Sequence, residues 1–174
     1  MKKNRKLIFL SILVALGLVM GIFESIIPLP FTFTGARLGL SNIVVLVSIV
    51  VFGYREGLIV ALFKTLILML VTGSVSSFFF SFAGALLSSI SMIIAHKYLS
   101  RYLSLIGISE IGSFFHNVGQ VLVASFVLGN KMIFAYLPFL LILGLFTGYF
   151  VGLASIYITK NLNTHFKELI KWLY

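Results

Sequence analysis

Cysteine is absent from the 174 residues, so neither a disulfide nor a thiolate metal site can form. Aspartate is absent as well, and the whole acidic complement is four glutamates. That excludes Asp-rich Mg²⁺–diphosphate motifs and a Walker B aspartate, and no GxxxxGK[ST] loop occurs. If the protein moves something at the cost of ATP, another subunit must supply the ATPase. The four glutamates are scattered, and no nucleophile, metal triad or second carboxylate accompanies Glu110, so the expectation is a protein that is not an enzyme, with no catalytic residue, metal or cofactor. Charge of either sign is scarce: 10% of residues, against about 25% in an ordinary soluble domain.

What fills the chain instead is apolar. Sixty per cent of residues are hydrophobic and the mean hydropathy is +1.16. A compact soluble core has no room for that much apolar side chain, so lipid must solvate much of it. A bilayer core about 30 Å thick needs roughly 20 apolar residues as helix. Six segments approach that length, at about 7–26, 38–53, 57–72, 78–96, 111–129 and 133–158. Turn residues separate them, as in "PLPFTFTG", "GYREG" and "TGSVSS". The expectation is an all-α integral membrane protein, one domain over 1–174. The N-terminal apolar run exceeds a signal-peptide h-region and lacks an A-x-A-like site, so it is taken as a retained first span.

The net charge of +9 reads as orientation rather than nucleic-acid binding. Six spans put both termini on one side. That side collects Lys2, Lys3, Arg5, Lys6, Arg55, Lys97, Arg101, Lys160, Lys167 and Lys171, whereas the other has Arg37 and Lys131. The positive-inside rule then places both termini in the cytoplasm of a multi-pass cell-membrane protein. The tail "NTHFKELIKWLY" sets Phe166, Leu169, Ile170 and Leu173 on one face, as expected of a short interfacial helix.

Polar groups inside the spans need a reason, because a charge at mid-bilayer costs at least about 2.5–3.5 kcal/mol. The candidates are Glu24, Arg37, Asn42, Lys64, His116, Asn117 and Gln120. On a helix, residues 116, 117 and 120 fall within about 100° of arc and can share a face. They either glue helices together or line a ligand cavity. Lys64 lies near the middle of "GLIVALFKTLILMLVT" with no acid at comparable depth. It snorkels, meets Glu24, or receives an anion. Glu24 and Arg37 flank the external end of the first hairpin, as an ion pair or as substrate contacts. Glu110 is expected to pair with Arg101 or Lys97. An apolar part of a ligand is expected against Phe31, Phe33 and Phe114. Two small-residue stripes, Gly17/Gly21 and Gly144/Gly148/Gly152, permit close helix approach; the first is a candidate docking face for a partner.

"FESIIPLPFTFTGARLGLSNIVVL", "SFAGALLSSISM" and "HNVGQ" together resemble the family called Gx transporters, also labelled heptaprenyl diphosphate synthase component I. The resemblance covers about 17–155. Arg37 stands where the family has Lys, and "SEIGSFFHN" is bulkier than the family's small-residue run. This family is similar to the S components of energy-coupling factor (ECF) transporters. The resemblance implies a six-helix, S-component-like bundle that captures a small, anionic or amphipathic molecule for uptake. It also implies a membrane T component and ATPase subunits as partners. Arg37, Asn42, Lys64, His116, Asn117 and Gln120 would line the cavity, with Glu24 beside them. The alternative is a membrane accessory subunit of isoprenoid or quinone biosynthesis.

Overall fold

The computed structural model describes residues 2–27 and 36–171, the side chains at 2, 3, 5 and 163–171 excepted. Six α-helices account for almost all of them: α1 Lys2–Ile26, α2 Asn42–Val51, α3 Tyr54–Thr72, α4 Val75–Leu99, α5 Leu105–Val127 and α6 Leu137–Lys171. A 3₁₀ turn, Lys131–Tyr136, precedes α6, and no strand occurs among the described residues. The all-α, six-helix expectation holds.

The boundaries differ from the hydropathy reading in instructive places. The second helix was expected over 38–53 but has ten residues. Gly39 takes φ +82°, a left-handed conformation that side chains disfavour, and the chain becomes helical only after it. The fifth helix starts at Leu105 rather than near 111, because Ser104 is extended and opens the helix earlier. Glu110 therefore lies inside a helix. α6 runs unbroken to Lys171, so the tail continues that helix; its apolar face lies outside the described side chains.

Three stretches are long and apolar enough to cross a bilayer by length and composition: Lys6–Ile26, Val75–Leu99 and Lys131–Leu162. The other three helices are α2, with ten residues, and α3 and α5, with 19 and 23 residues. Those are the helices that carry Asn42, Lys64 and the His116–Gln120 group, while Glu24 lies on α1 and Arg37 precedes α2.

Towards one end lies an apolar core. Leu13, Val45, Leu46, Val47, Ile49, Val60, Met92 and Ile108 are buried there, with Leu10, Phe52, Leu103 and Leu162 packed around them. Residues near both chain ends thus meet at this end. Lys6 and Glu56 form an ion pair that ties the start of α1 to the start of α3.

Both glycine stripes are spent on helix packing inside the bundle. A Cβ at Gly17 would come 2.7 Å from Val44, and one at Gly21 2.6 Å from Leu68. A Cβ at Gly144 would strike Asn117, and one at Gly148 would lie 2.8 Å from the Glu110 carboxylate. The absent side chains let α6 approach α5 and let α1 approach α2 and α3. This corrects the expectation of a partner-docking face at Gly17 and Gly21, since the chain's own residues cover it.

Candidate functional site

The polar residues of α5 point inward, as their spacing requires. His116, Asn117 and Gln120 are 3%, 1% and 0% exposed, whereas Phe114 and Phe115 are 48% and 40% exposed. Phe114 faces away from the cluster, about 200° round the helix from His116, which corrects its expected role beside a ligand. Phe31 and Phe33 lie outside the described residues.

Gln120 acts as a clamp. Its Oε1 accepts the backbone N–H of Arg37 at 3.0 Å, and its Nε2 donates to the Arg37 carbonyl at 3.0 Å and to Asn117 Oδ1 at 2.8 Å. One side-chain amide thereby satisfies both backbone groups of a non-helical residue, much as a neighbouring strand would. Asn117 Nδ2 donates to the Leu140 carbonyl at 2.9 Å. These two amides bind α5 to the segment before α2 and to α6, and the role is positional.

The charged groups sit beside that frame. Lys64 is 2% exposed, and its Nζ donates to Ser41 Oγ and Asn42 Oδ1, both at 2.9 Å. Of the expectations for Lys64, snorkelling is excluded by this burial. Glu24, also 2% exposed, accepts the Ser41 backbone N–H on Oε1 at 2.6 Å. Arg37 is 6% exposed and donates from one terminal nitrogen to the Gly21 carbonyl at 2.9 Å. Lys6 and Glu56 form an ion pair, and none involves Glu24, Arg37 or Lys64 among the described residues. Glu24 therefore pairs directly with neither Arg37 nor Lys64, contrary to the interfacial ion-pair reading. Three buried charges are held by dipoles.

The imidazole's proton follows from its neighbour. Asn42 Oδ1 receives Lys64, so Asn42 Nδ2 is the end that meets His116 Nδ1, at 3.3 Å, and Ser88 Oγ, also at 3.3 Å. An amide nitrogen can only donate, so Nδ1 accepts and the proton of a neutral ring lies on Nε2.

The bonding is incomplete at three atoms of this cluster. Glu24 Oε2, Arg37 Nε and His116 Nε2 are buried with no hydrogen-bond partner. Leaving such groups unsatisfied costs about 1–3 kcal/mol each, more for charged ones. A cavity of about 10 Å³ lies beside Asn42, Ser88, Ser109 and Thr147, room for no more than one water. Glu110 is expected to pair with Arg101 or Lys97, but its Oε2 is buried without a partner against Gly148. Among the described residues no group of three or more His, Cys, Asp or Glu is placed to hold a metal ion.

The structure thus holds the seven residues in two hydrogen-bonded groups: Glu24, Lys64, Asn42 and His116 linked through Ser41 with Ser88 on Asn42, and Gln120 joined to Arg37 and Asn117. The sequence reading missed both Ser41 and Ser88. The signal was present: Ser41 adjoins Asn42 in "LSN", and Ser88 lies in "SFAGALLSSISM".

The fold is similar to a solved structure of the S component of a bacterial ECF transporter, with a TM-score of 0.73 and 22% sequence identity. The similarity covers 95% of this chain and 99% of that one. No curated protein matches the chain. The match that bears on ancestry spans residues 13–158, nearly the whole bundle and every residue of the cluster, and by it the chain belongs to the heptaprenyl diphosphate synthase component I family.

Proposed function

We propose that the chain is the substrate-binding subunit of an ECF-type transporter, taking up a small anionic or amphipathic molecule at the cluster around Lys64. One observation carries this reading: Arg37 Nε, Glu24 Oε2 and His116 Nε2, all on side chains of the polar cluster, are buried and unspent. A cluster built only to bolt helices together would spend them. The S-component-like fold supports the reading. Both termini are then cytoplasmic, and the cluster lies towards the external side. The cavity beside Asn42 is far smaller than a ligand, so the state described is closed and loading requires the helices to part.

Coupling to a T component and its ATPases needs an exposed apolar surface. The buried Gly17/Gly21 stripe cannot provide it. A groove of about 390 Å³ lies between α1 and α3, lined by Leu7, Val14, Ala15, Leu18, Phe63 and Ile67 among others. Its lining is apolar, so a membrane helix of the T component fits it better than a soluble partner. Ala15 is exposed there, so Ala15→Trp fills the groove without disturbing the core. Loss of co-purification with T component and ATPases, at unchanged thermal stability, is the expected result; an intact complex would move docking elsewhere. The family's description favours a second reading, a membrane accessory of isoprenoid or quinone synthesis. Stable co-purification with a prenyl synthase in place of an ATPase module would select it.

The site itself is tested by native mass spectrometry of protein purified from its own membranes. A retained small molecule that Arg37→Ala loses supports the reading. A bare wild-type chain that binds nothing from a host-cell extract contradicts it.

A further inference from the structure

We propose that the site is built for a single negative charge, a monocarboxylate class of ligand, and that it discriminates against phosphate and diphosphate esters. This rests on the reading of the Lys64 cluster as a substrate site. The chain's charges can be counted by depth. The cluster holds two cations, Lys64 and Arg37, and one carboxylate, Glu24, all at most 6% exposed. Residues 28–35, which join α1 to the segment before α2 in sequence, contain no ionisable side chain. Lys131 is exposed, and water screens it. Glu110 faces α6 at Gly148, six residues and about 9 Å along α5 from His116.

With Lys64, Arg37 and Glu24 ionised, the cluster sums to one positive charge without a counter-ion. None of the three groups is in an ion pair, since Lys64 rests on Ser41 and Asn42, Arg37 on the Gly21 carbonyl, and Glu24 on the Ser41 N–H. In a low-dielectric interior an uncompensated charge is costly, and so is over-compensation. A ligand with one negative charge brings the cluster to neutrality. A phosphate monoester carries about −1.5 to −2 at neutral pH, and a diphosphate more, leaving at least part of a negative charge buried beside Glu24.

The unspent atoms agree with that count. Arg37 Nε–H and His116 Nε2–H are two donors, enough for the two oxygens of one carboxylate. Glu24 Oε2 is an acceptor that would favour a ligand with a hydroxyl or N–H near its acid group and would repel a second anionic oxygen. Diphosphate recognition in proteins draws on several cations, a metal or a helix N-terminus with free N–H groups; this cluster offers no cation beyond Lys64 and Arg37, and at the start of α2 the N–H groups of Ser41, Asn42 and Ile43 are already bonded to Glu24, Gly39 and Leu40.

The experiment uses three probes with one apolar tail and different head groups: farnesoic acid, farnesyl monophosphate and farnesyl diphosphate. Affinity for each is measured on the detergent-purified chain by thermal shift and by displacement titration. Wild type is expected to bind the carboxylate at least tenfold more tightly than the diphosphate. Glu24→Gln raises the cluster to two positive charges and is expected to reverse or level that order. Lys64→Met should lose the carboxylate. A diphosphate that binds wild type more tightly than the carboxylate, and is lost in Lys64→Met, overturns the single-charge inference while keeping the site. Probes that bind Lys64→Met and wild type alike, or no binding of any probe to wild type, overturn the site reading and the inference together.

Discussion

The two halves of this bundle are held together by different physics. Towards the end that carries the termini, Leu13, Val45, Leu46, Val47, Ile49, Val60 and Ile108 pack as a dry apolar core. Towards the other end, Glu24, Arg37, Asn42, Lys64, His116, Asn117 and Gln120 are buried to a comparable degree, yet meet through hydrogen bonds. The core side chains of the apolar half have no polar atom to leave unpaired on closing. The polar half closes with three polar atoms unsatisfied, so its closed state is under-compensated and a ligand can improve it. Stability and binding should therefore separate spatially along the bundle axis.

The strongest expected effect tests the apolar half. Leu46 is 0% exposed, and Leu46→Ala should cost about 2–5 kcal/mol through the cavity it leaves. Thermal unfolding in detergent should register that loss while ligand affinity, per folded molecule, stays the same. A change in affinity as large as the change in stability would erase the distinction between the halves.

Gln120→Leu comes next and sharpens the division inside the polar half. It removes the clamp on Arg37 and leaves a buried N–H and C=O without partners, at about 1–3 kcal/mol for each group. Both stability and affinity should fall, because residue 37 loses its position. If stability alone falls, Arg37 does not contact the ligand.

The smallest effect belongs to the Lys6–Glu56 pair. A hydrogen bond from Lys6 holds the Glu56 carboxyl below its ordinary value of 4.5. Its stabilisation is thus present above about pH 4.5 and is lost as pH falls through the lowered folded value. The pair is partly exposed, with side chains 40% and 21% accessible, so Glu56→Gln should cost under about 1 kcal/mol at pH 7. Acid titration of the unfolding temperature should show the wild type converging on the variant below that pH. Convergence in the alkaline direction would contradict the assignment.

Much of this was legible in the sequence, for identifiable reasons. Hydropathy located six helices, because apolar run length reports span length directly. Helical periodicity put His116, Asn117 and Gln120 on one face, and the same geometry put Phe114 on the other, where proximity in sequence misled. The glycine stripes were legible as close-packing sites, but spacing cannot say whether the surface that approaches belongs to the same chain. Gly17 meets Val44 and Gly21 meets Leu68, both distant in sequence. Glu110 was expected near Arg101 and Lys97; the early start of α5 at Leu105 carries it into the seam with α6 instead. The partners of Lys64 were hidden because Ser41 lies in a break that Gly39 imposes before α2, and hydropathy is blind to such a break.

The central claim is that Lys64 waits for an anion instead of bolting α3 to the residues before α2. Lys64→Met, which preserves length and removes charge, tests it when two quantities are read on one preparation: occupancy by the molecule retained from the native membranes, and the unfolding temperature of the ligand-free protein. A charge-assisted contact contributes on the order of 1.5–3 kcal/mol, about one to two decades of affinity. The expected result is a 10- to 100-fold loss of binding with an unfolding temperature equal to or above that of wild type, since an uncompensated charge has been removed. Unchanged occupancy with a lowered unfolding temperature would show Lys64 to be a structural bolt and would remove it from the site.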